Sequence, residues 1–157
     1  MKIIIIPMLA LITSGAYSQT YFEDDFSGGI GSWTLTDSDG DGFDWAIADY
    51  GAGDGHGNVA SSASWDGGAG ILTPDNWMVA GPFDLSAATG TVAFQWVTKA
   101  QDPDWTGEEY TAYAGTSGAI GDLMTSPYSF NEVVVTQETE ANGLDGIPEV
   151  HVLEGNF

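Results

Sequence analysis

Three aspartates at alternate positions, Asp37, Asp39 and Asp41, form the densest group of side chains that could do chemistry, and each is followed by a small residue. Calcium prefers about six to eight oxygen ligands, and this spacing lets one tight loop present several. The run resembles the first half of an EF-hand loop, but Ala48 stands where the bidentate glutamate belongs. The sequence therefore excludes a helix–loop–helix calcium sensor. It predicts a calcium-binding loop completed by more distant acids, with a merely solvated acidic turn as the alternative.

Residues suited to catalysis are scarce. The two histidines, His56 and His151, lack the spacing of a zinc site, and no G-x-S-x-G nucleophile motif occurs. Glycoside hydrolysis needs two carboxylates at a set separation, and Glu108 with Glu109 is one such acidic pair. Among 23 acidic residues such a pair carries little information. The sequence favours a non-catalytic binding module, and the alternatives are a secreted hydrolase and a purely structural domain of a larger assembly.

Two tryptophans lie in polar loops, Trp65 beside Asp66 and Trp105 beside Asp104. An exposed indole next to a carboxylate can stack on a sugar ring while the carboxylate accepts hydrogen bonds from its hydroxyls. The alternatives are rings that fold over the edge of the domain or that contact another protein. Four further tryptophans lie on strand-like segments and are predicted to be core residues: Trp33, Trp45, Trp77 and Trp96.

The charge balance of the chain excludes whole classes of partner. Its 157 residues include 23 Asp and Glu against 2 Lys and Arg, a net charge of −21. Such a surface cannot neutralise nucleic-acid phosphates or bind an anionic membrane. The chain has no cysteine, so no disulfide can stabilise it outside the cell. The composition therefore favours bound cations, which would reduce the repulsion between the acidic side chains.

The first eighteen residues have the pattern of a secretory signal peptide. Lys2 supplies the positive charge, an apolar run follows, and Ala16 and Ser18 are the small residues that set a cleavage site before Gln19. The apolar run is too short to span a bilayer. The alternative is a buried N-terminal strand. The predicted organisation is a signal peptide over residues 1–18 and one domain over residues 19–157.

The rest of the chain has the pattern of an all-β protein. Short apolar segments alternate with turns rich in Gly, Asp and Ser, and no segment sustains a helical period. About eight short strands at this spacing are typical of a β-sandwich or jelly roll. The predicted strands are residues 21–26, 33–36, 45–48, 59–62, 77–79, 91–98, 110–114 and 132–137.

Several motifs follow one another along the chain: Phe22-Glu23-Asp24-Asp25-Phe26, Trp33, residues 37–45, Pro74-Asp75-Asn76-Trp77-Met78-Val79 and Phe83-Asp84-Leu85-Ser86. In order and spacing they resemble the cleaved-adhesin or choice-of-anchor J domain of secreted bacterial proteins. The motif Asp41-Gly42-Phe43-Asp44-Trp45 is also similar to the related MAM domain. The resemblance extends over residues 21–139 and fades beyond them.

The resemblance implies an antiparallel jelly-roll sandwich with structural calcium, in a secreted or cell-surface protein that binds a glycan or an extracellular protein. The calcium ligands that it implies are Asp24 or Asp25 on the first strand, Asp37, Asp39 and Asp41 in the loop, and Asp44. The family continues through further strands, and residues 143–157 contain no matching segment. We therefore expect a domain that is incomplete at its C-terminus and belongs to a larger protein.

Overall fold

A computed structural model of the chain describes residues 2–7, 19–49, 57–89, 91–100, 108–134 and 149–155. These residues are almost entirely strand and turn, with a single four-residue helix, α1 (Ile120–Leu123). In these ranges no helix is long and apolar enough to cross a membrane. The strands are β1 (Lys2–Pro7), β2 (Trp33–Asp37), β3 (Ala46–Asp49), β4 (Asn58–Ala63), β5 (Trp65–Asp66), β6 (Gly70–Ile71), β7 (Asn76–Ala80), β8 (Val92–Ala100), β9 (Glu108–Ala114), β10 (Tyr128–Val134) and β11 (Glu149–Gly155).

The largest sheet has five strands in the order β11-β8-β1-β4-β3, and each neighbouring pair is antiparallel. Successive residues of a strand point to opposite faces of the sheet. Four successive residues of β4, numbered 59–62, are buried, so β4 is covered on both faces. On β8, Ala93 and Trp96 are buried on opposite faces of the sheet.

A second layer packs on the large sheet through aromatic side chains. Strands β9 and β10 form an antiparallel pair, and Phe130 of β10 meets the ring of Trp96 edge-on with centroids 5.5 Å apart. The Trp96 indole nitrogen donates a hydrogen bond to the Tyr110 hydroxyl at 3.1 Å. Only 2% of Trp96 is exposed, which confirms its prediction as a core residue. The two layers make the predicted β-sandwich.

Strands β2 and β7 form a separate antiparallel pair that holds the acidic segment at its end. The register runs from Trp33 opposite Ala80 to Asp37 opposite Asn76. Beyond the last pair, the Ser38 N–H donates to the Asp75 carbonyl at 2.9 Å. The loop that contains the acidic residues after Asp37 therefore begins at a strand end that is held in place by hydrogen bonds.

Most of the predicted strands occur at the predicted places, but the prediction for residues 21–26 is wrong. That segment is irregular, because Asp24 accepts the Phe26 N–H and Asp25 accepts the Ser27 N–H through their own carboxylates. Phe26 also has a φ of 55°, which no strand residue adopts. Aspartate side chains that bond the backbone two residues ahead form turns, and such turns replace the strand here.

Both ends of the chain contribute strands to the large sheet. Strand β11 forms an edge beside β8, in the region where the sequence predicts no closing strand of the family. Strand β1 lies inside the predicted signal peptide and occupies the centre of the sheet. The structure is that of the full chain, which still contains residues 1–18. Cleavage of a signal peptide would remove β1 from the mature protein. Export and cleavage stay predictions.

Candidate functional site

The acidic loop, residues 37–42, is folded by its own first carboxylate. The two oxygens of Asp37 accept hydrogen bonds from different main-chain N–H groups, that of Gly40 at 2.7 Å and that of Gly42 at 2.9 Å. Both glycines have positive φ, 71° and 85°, which residues with a Cβ adopt only with strain. The alternation of aspartate and glycine is therefore what allows so tight a loop.

This loop brings three carboxylates together. One oxygen each of Asp37, Asp39 and Asp41 lies within 4.8 Å of the others. Two oxygens that bind one calcium ion at about 2.3–2.6 Å are at most about 5 Å apart. The separations in the loop meet this limit, and hard carboxylate oxygens are the donors that calcium prefers. Three carboxylates supply only part of a calcium shell, so water, main-chain carbonyls or further side chains would have to supply the rest.

The carboxylates also perturb one another. Hydrogen bonds from the Gly42 N–H and from the Asp39 carboxyl lower the pKa of Asp37. The same bond to Asp37, together with desolvation and the negative charge of Asp41, raises the pKa of Asp39. Of these two carboxyls, Asp39 is therefore the one that retains a proton more readily as the pH rises. A cation that replaced this proton would relieve the repulsion among the three acids.

Asn76, the first residue of β7, and Asp75 just before it support the acidic loop. The Asn76 side-chain nitrogen donates to the Phe43 carbonyl and to the Ser62 hydroxyl, and so connects the end of the loop to β4. The neighbouring Asp75 accepts the Ser38 N–H through its carbonyl. The register that places Asn76 opposite Asp37 pairs residues that are distant in sequence, and this is the signal that sequence reasoning lacked.

The other predicted calcium ligands do not join the cluster. Within the described ranges, the group of acids that could hold one ion comprises the three loop aspartates alone. Asp24 instead accepts hydrogen bonds from the Phe26 N–H, the Ser32 hydroxyl and the Trp33 indole. Asp25 and Asp44 also bond to the nearby backbone, since each carboxylate accepts a hydrogen bond from a main-chain N–H within two residues. Calcium binding by these three remains a prediction.

An exposed apolar pair lies on a two-stranded ribbon at the surface. Trp65 of β5 is directly opposite Ile71 of β6, and the two side chains are 53% and 86% exposed. In the turn between them, Asp66 accepts the N–H groups of Gly68 and Ala69. The ribbon thus exposes the Trp65 indole to solvent beside the Asp66 carboxylate, the arrangement in which an indole can contact a ligand. Trp105 and His56 lie outside the described residues.

The acidic pair considered for hydrolysis is divided between two environments. Glu108 and Glu109 are consecutive on β9 and therefore point to opposite faces. Glu108 is 8% exposed and accepts a hydrogen bond from the Ser64 hydroxyl, whereas Glu109 is exposed and bonded to Asn131. Such a pair cannot flank one glycosidic bond.

Comparisons with known proteins agree on one family. The family described as Cleaved Adhesin Domain matches residues 20–146. Gingipain R1 of Porphyromonas gingivalis is 38% identical over 106 residues, 63% of this chain and 6% of that protein. Hemagglutinin A of the same species is 34% identical over 130 residues, 79% of this chain and again 6% of the relative. This chain therefore corresponds to a small part of these much longer proteins.

Solved structures show the same relationship. The K1 cleaved adhesin domain of Lys-gingipain from Porphyromonas gingivalis W83 superposes with a TM-score of 0.62 at 27% identity, covering 82% of this chain and 77% of that one. The K3 domain of the same protein also superposes with a TM-score of 0.62, and the aligned region covers 82% of this chain and 76% of the K3 chain. Both similarities extend over most of each chain, so they support a common fold.

Proposed function

The chain belongs to the cleaved adhesin family, and from this premise we propose that it is a secreted, non-catalytic binding module whose acidic loop holds structural calcium. The family match over residues 20–146 carries the proposal, since it includes the acidic loop and the Trp65 ribbon alike. Adhesin domains are accessory parts of larger proteins. We propose that this one, too, serves as the binding part of a larger secreted or surface protein.

The ligand that we propose is an extracellular glycan or a protein surface. The support is the Trp65 and Ile71 pair, which exposes an indole and an aliphatic side chain beside Asp66. An indole face can stack on the apolar face of a sugar or fill an apolar pocket of a protein. The negative charge of the domain directs it to neutral or basic ligands and away from nucleic acid.

The role of calcium follows from the acidic loop. An ion bound by Asp37, Asp39 and Asp41 would convert their mutual repulsion into attraction and hold the loop between β2 and β3 in one conformation. The ion is proposed to act on structure, and no reaction step is assigned to it. The loop is continuous with Phe43 and the Asn76 contacts, so an ordered loop would also stabilise the adjoining strands.

A search of arrayed extracellular glycans and matrix proteins tests the binding proposal. The full chain is screened in about 1 mM calcium, the range in which extracellular modules bind this ion, and again in EDTA. We expect a ligand whose binding weakens in EDTA and in the variant Asp39→Asn/Asp41→Asn. The matched control is Asp84→Asn, an exposed aspartate outside the loop that also accepts a main-chain N–H.

Substitution of Trp65 by alanine then locates the contact. We expect binding to fall by about 1–3 kcal/mol, taking base–aromatic stacking as a guide, while the melting temperature stays nearly constant. Replacing the equally exposed Met124 by alanine is the control, because it removes an apolar side chain elsewhere on the surface. Unchanged binding in Trp65→Ala would show that the ribbon is not the contact surface. Turnover of an arrayed glycan or protein would instead favour a hydrolase.

A further inference from the structure

Strand β1 occupies a position that only a strand paired on both sides can fill. Its ladder with β4 runs from Lys2 opposite Ala63 to Ile5 opposite Ala60, and its ladder with β8 runs from Ile3 opposite Ala100 to Pro7 opposite Trp96. Because β1 separates β4 from β8 in the sheet, losing it leaves each of them with an unpaired edge. With neighbouring strands about 4.8 Å apart, the gap between those edges is about 10 Å wide.

The gap lies in the interior of the sheet and not at its rim. Residues 59–62 of β4 are all buried, as are Trp96 and Thr98 of β8. Main-chain N–H and C=O groups in such a place are costly when they lack partners. The buried side chains on the two strands are uncharged, and those on β4 are small. A strand that filled the gap would therefore have to be uncharged along its centre.

We propose that the gap between β4 and β8 is a strand-binding site that accepts an extended apolar segment of a partner polypeptide once the signal peptide has been removed. The opening of this site depends on the predicted cleavage after Ser18. It depends neither on calcium nor on the ligand of the Trp65 ribbon. Addition of a strand through main-chain hydrogen bonds is a general mode of peptide recognition.

The chemistry of the partner segment follows from what occupies the gap in the full chain and from charge. Four consecutive isoleucines, residues 3–6, lie in the stretch that pairs with β4 and β8, and β-branched residues favour strands. After cleavage the chain keeps all 23 acidic residues and one lysine. Association therefore favours a segment with basic residues next to its apolar centre, as Lys2 is next to Ile3.

The pairing of β1 is tested first, in the full chain. Since the protein has no cysteine, the double variant Ile4→Cys/Ser61→Cys can form only the disulfide that joins two register partners. Directly opposite strand residues lie within the Cα range that a disulfide spans, about 4.4–6.8 Å. We expect rapid intramolecular oxidation in this variant and none in Ile4→Cys/Ser86→Cys, whose positions are not paired. Equal oxidation of the two variants would overturn the proposal.

Peptide binding is tested next, on a chain cut after Ser18 through an inserted protease site. The probe is a fluorescent peptide with the sequence of residues 2–7 followed by two lysines, and binding is followed by anisotropy. We expect saturable binding to the cut chain and none to the uncut chain, whose site is filled. Binding should be at least tenfold weaker for a peptide with proline at both central isoleucines, because proline removes main-chain donors.

The cut chain can also keep its leader fragment or lose structure, and each of these cases tests the proposal. A cut chain that retains its own leader fragment should release it when the peptide is added, as size-exclusion chromatography would show. A cut chain that loses structure should regain its circular dichroism with the peptide and not with the proline peptide. A folded cut chain that has released its leader and binds no peptide would overturn the proposal, and so would an unfolded one that the peptide does not restore.

Discussion

At Asp37 and Asp39, one hydrogen bond produces opposite effects on two neighbouring carboxyls. The pKa of Asp37 is lowered, first by the Gly42 N–H, and the pKa of Asp39 is raised, first by its bond to Asp37. Without a cation, Asp39 therefore stabilises the fold in its protonated form. That contribution is complete below the ordinary value of 3.8 and is lost as the pH rises through the raised pKa. The contribution of Asp37 has the opposite sign and is lost as the pH falls through its lowered pKa.

This difference predicts a pH dependence of calcium binding. Calcium and a proton compete for Asp39, so the calcium affinity should fall as the pH decreases through the raised pKa of that residue. Calorimetric titration of the full chain with calcium at a series of pH values measures the effect. In Asp39→Asn the affinity should be lower at neutral pH, and the onset of its fall should move to lower pH. The same onset in both proteins would show that Asp39 does not compete with the ion.

At the scale of elements, the contact between β8 and the β9–β10 pair holds the two layers together. Trp96 is buried against Phe130 and bonded to Tyr110, whereas Trp65 lies half exposed on its ribbon. Replacing Trp96 by alanine should lower the free energy of unfolding by about 3–5 kcal/mol, as is usual for a buried aromatic. The same substitution at Trp65 is the matched control and should cost about 0.5 kcal/mol or less. Urea denaturation of both variants measures this, and equal costs would contradict the assigned packing.

Sequence reasoning found the elements whose patterns are local. The short apolar segments between turns rich in Gly, Asp and Ser indicated an all-β sandwich, and the Asp37 loop was recognisable from its own spacing. What it missed depends on contacts distant in sequence or on side chains that compete for the backbone. Asp24 and Asp25 convert an apparent first strand into turns, and the register of β2 with β7 brings Asn76 to the acidic loop.

At the scale of the whole molecule, the composition of the chain bears on its proposed secretion. A net charge of −21 without any cysteine suits a secreted domain that uses cations where other secreted domains use disulfides. The predicted signal peptide has its own test. Fused to a reporter, residues 1–18 should direct secretion, and mass spectrometry should find a mature N-terminus at Gln19. An Ala16→Leu/Ser18→Leu control should block cleavage, and an exported wild-type product that still carries Met1 would contradict the prediction.

The central question about this domain is whether its acidic loop binds calcium and is thereby stabilised. Binding to the folded state alone adds about 2.7 kcal/mol at a hundredfold excess of free ion over the dissociation constant. Scanning calorimetry of the full chain in millimolar calcium and in EDTA, beside Asp39→Asn/Asp41→Asn, measures this directly. We predict that calcium raises the melting temperature of the wild type only, and that in EDTA the double variant melts higher because the repulsion is relieved. Equal calcium responses in the two proteins would show that the acidic loop does not bind the ion.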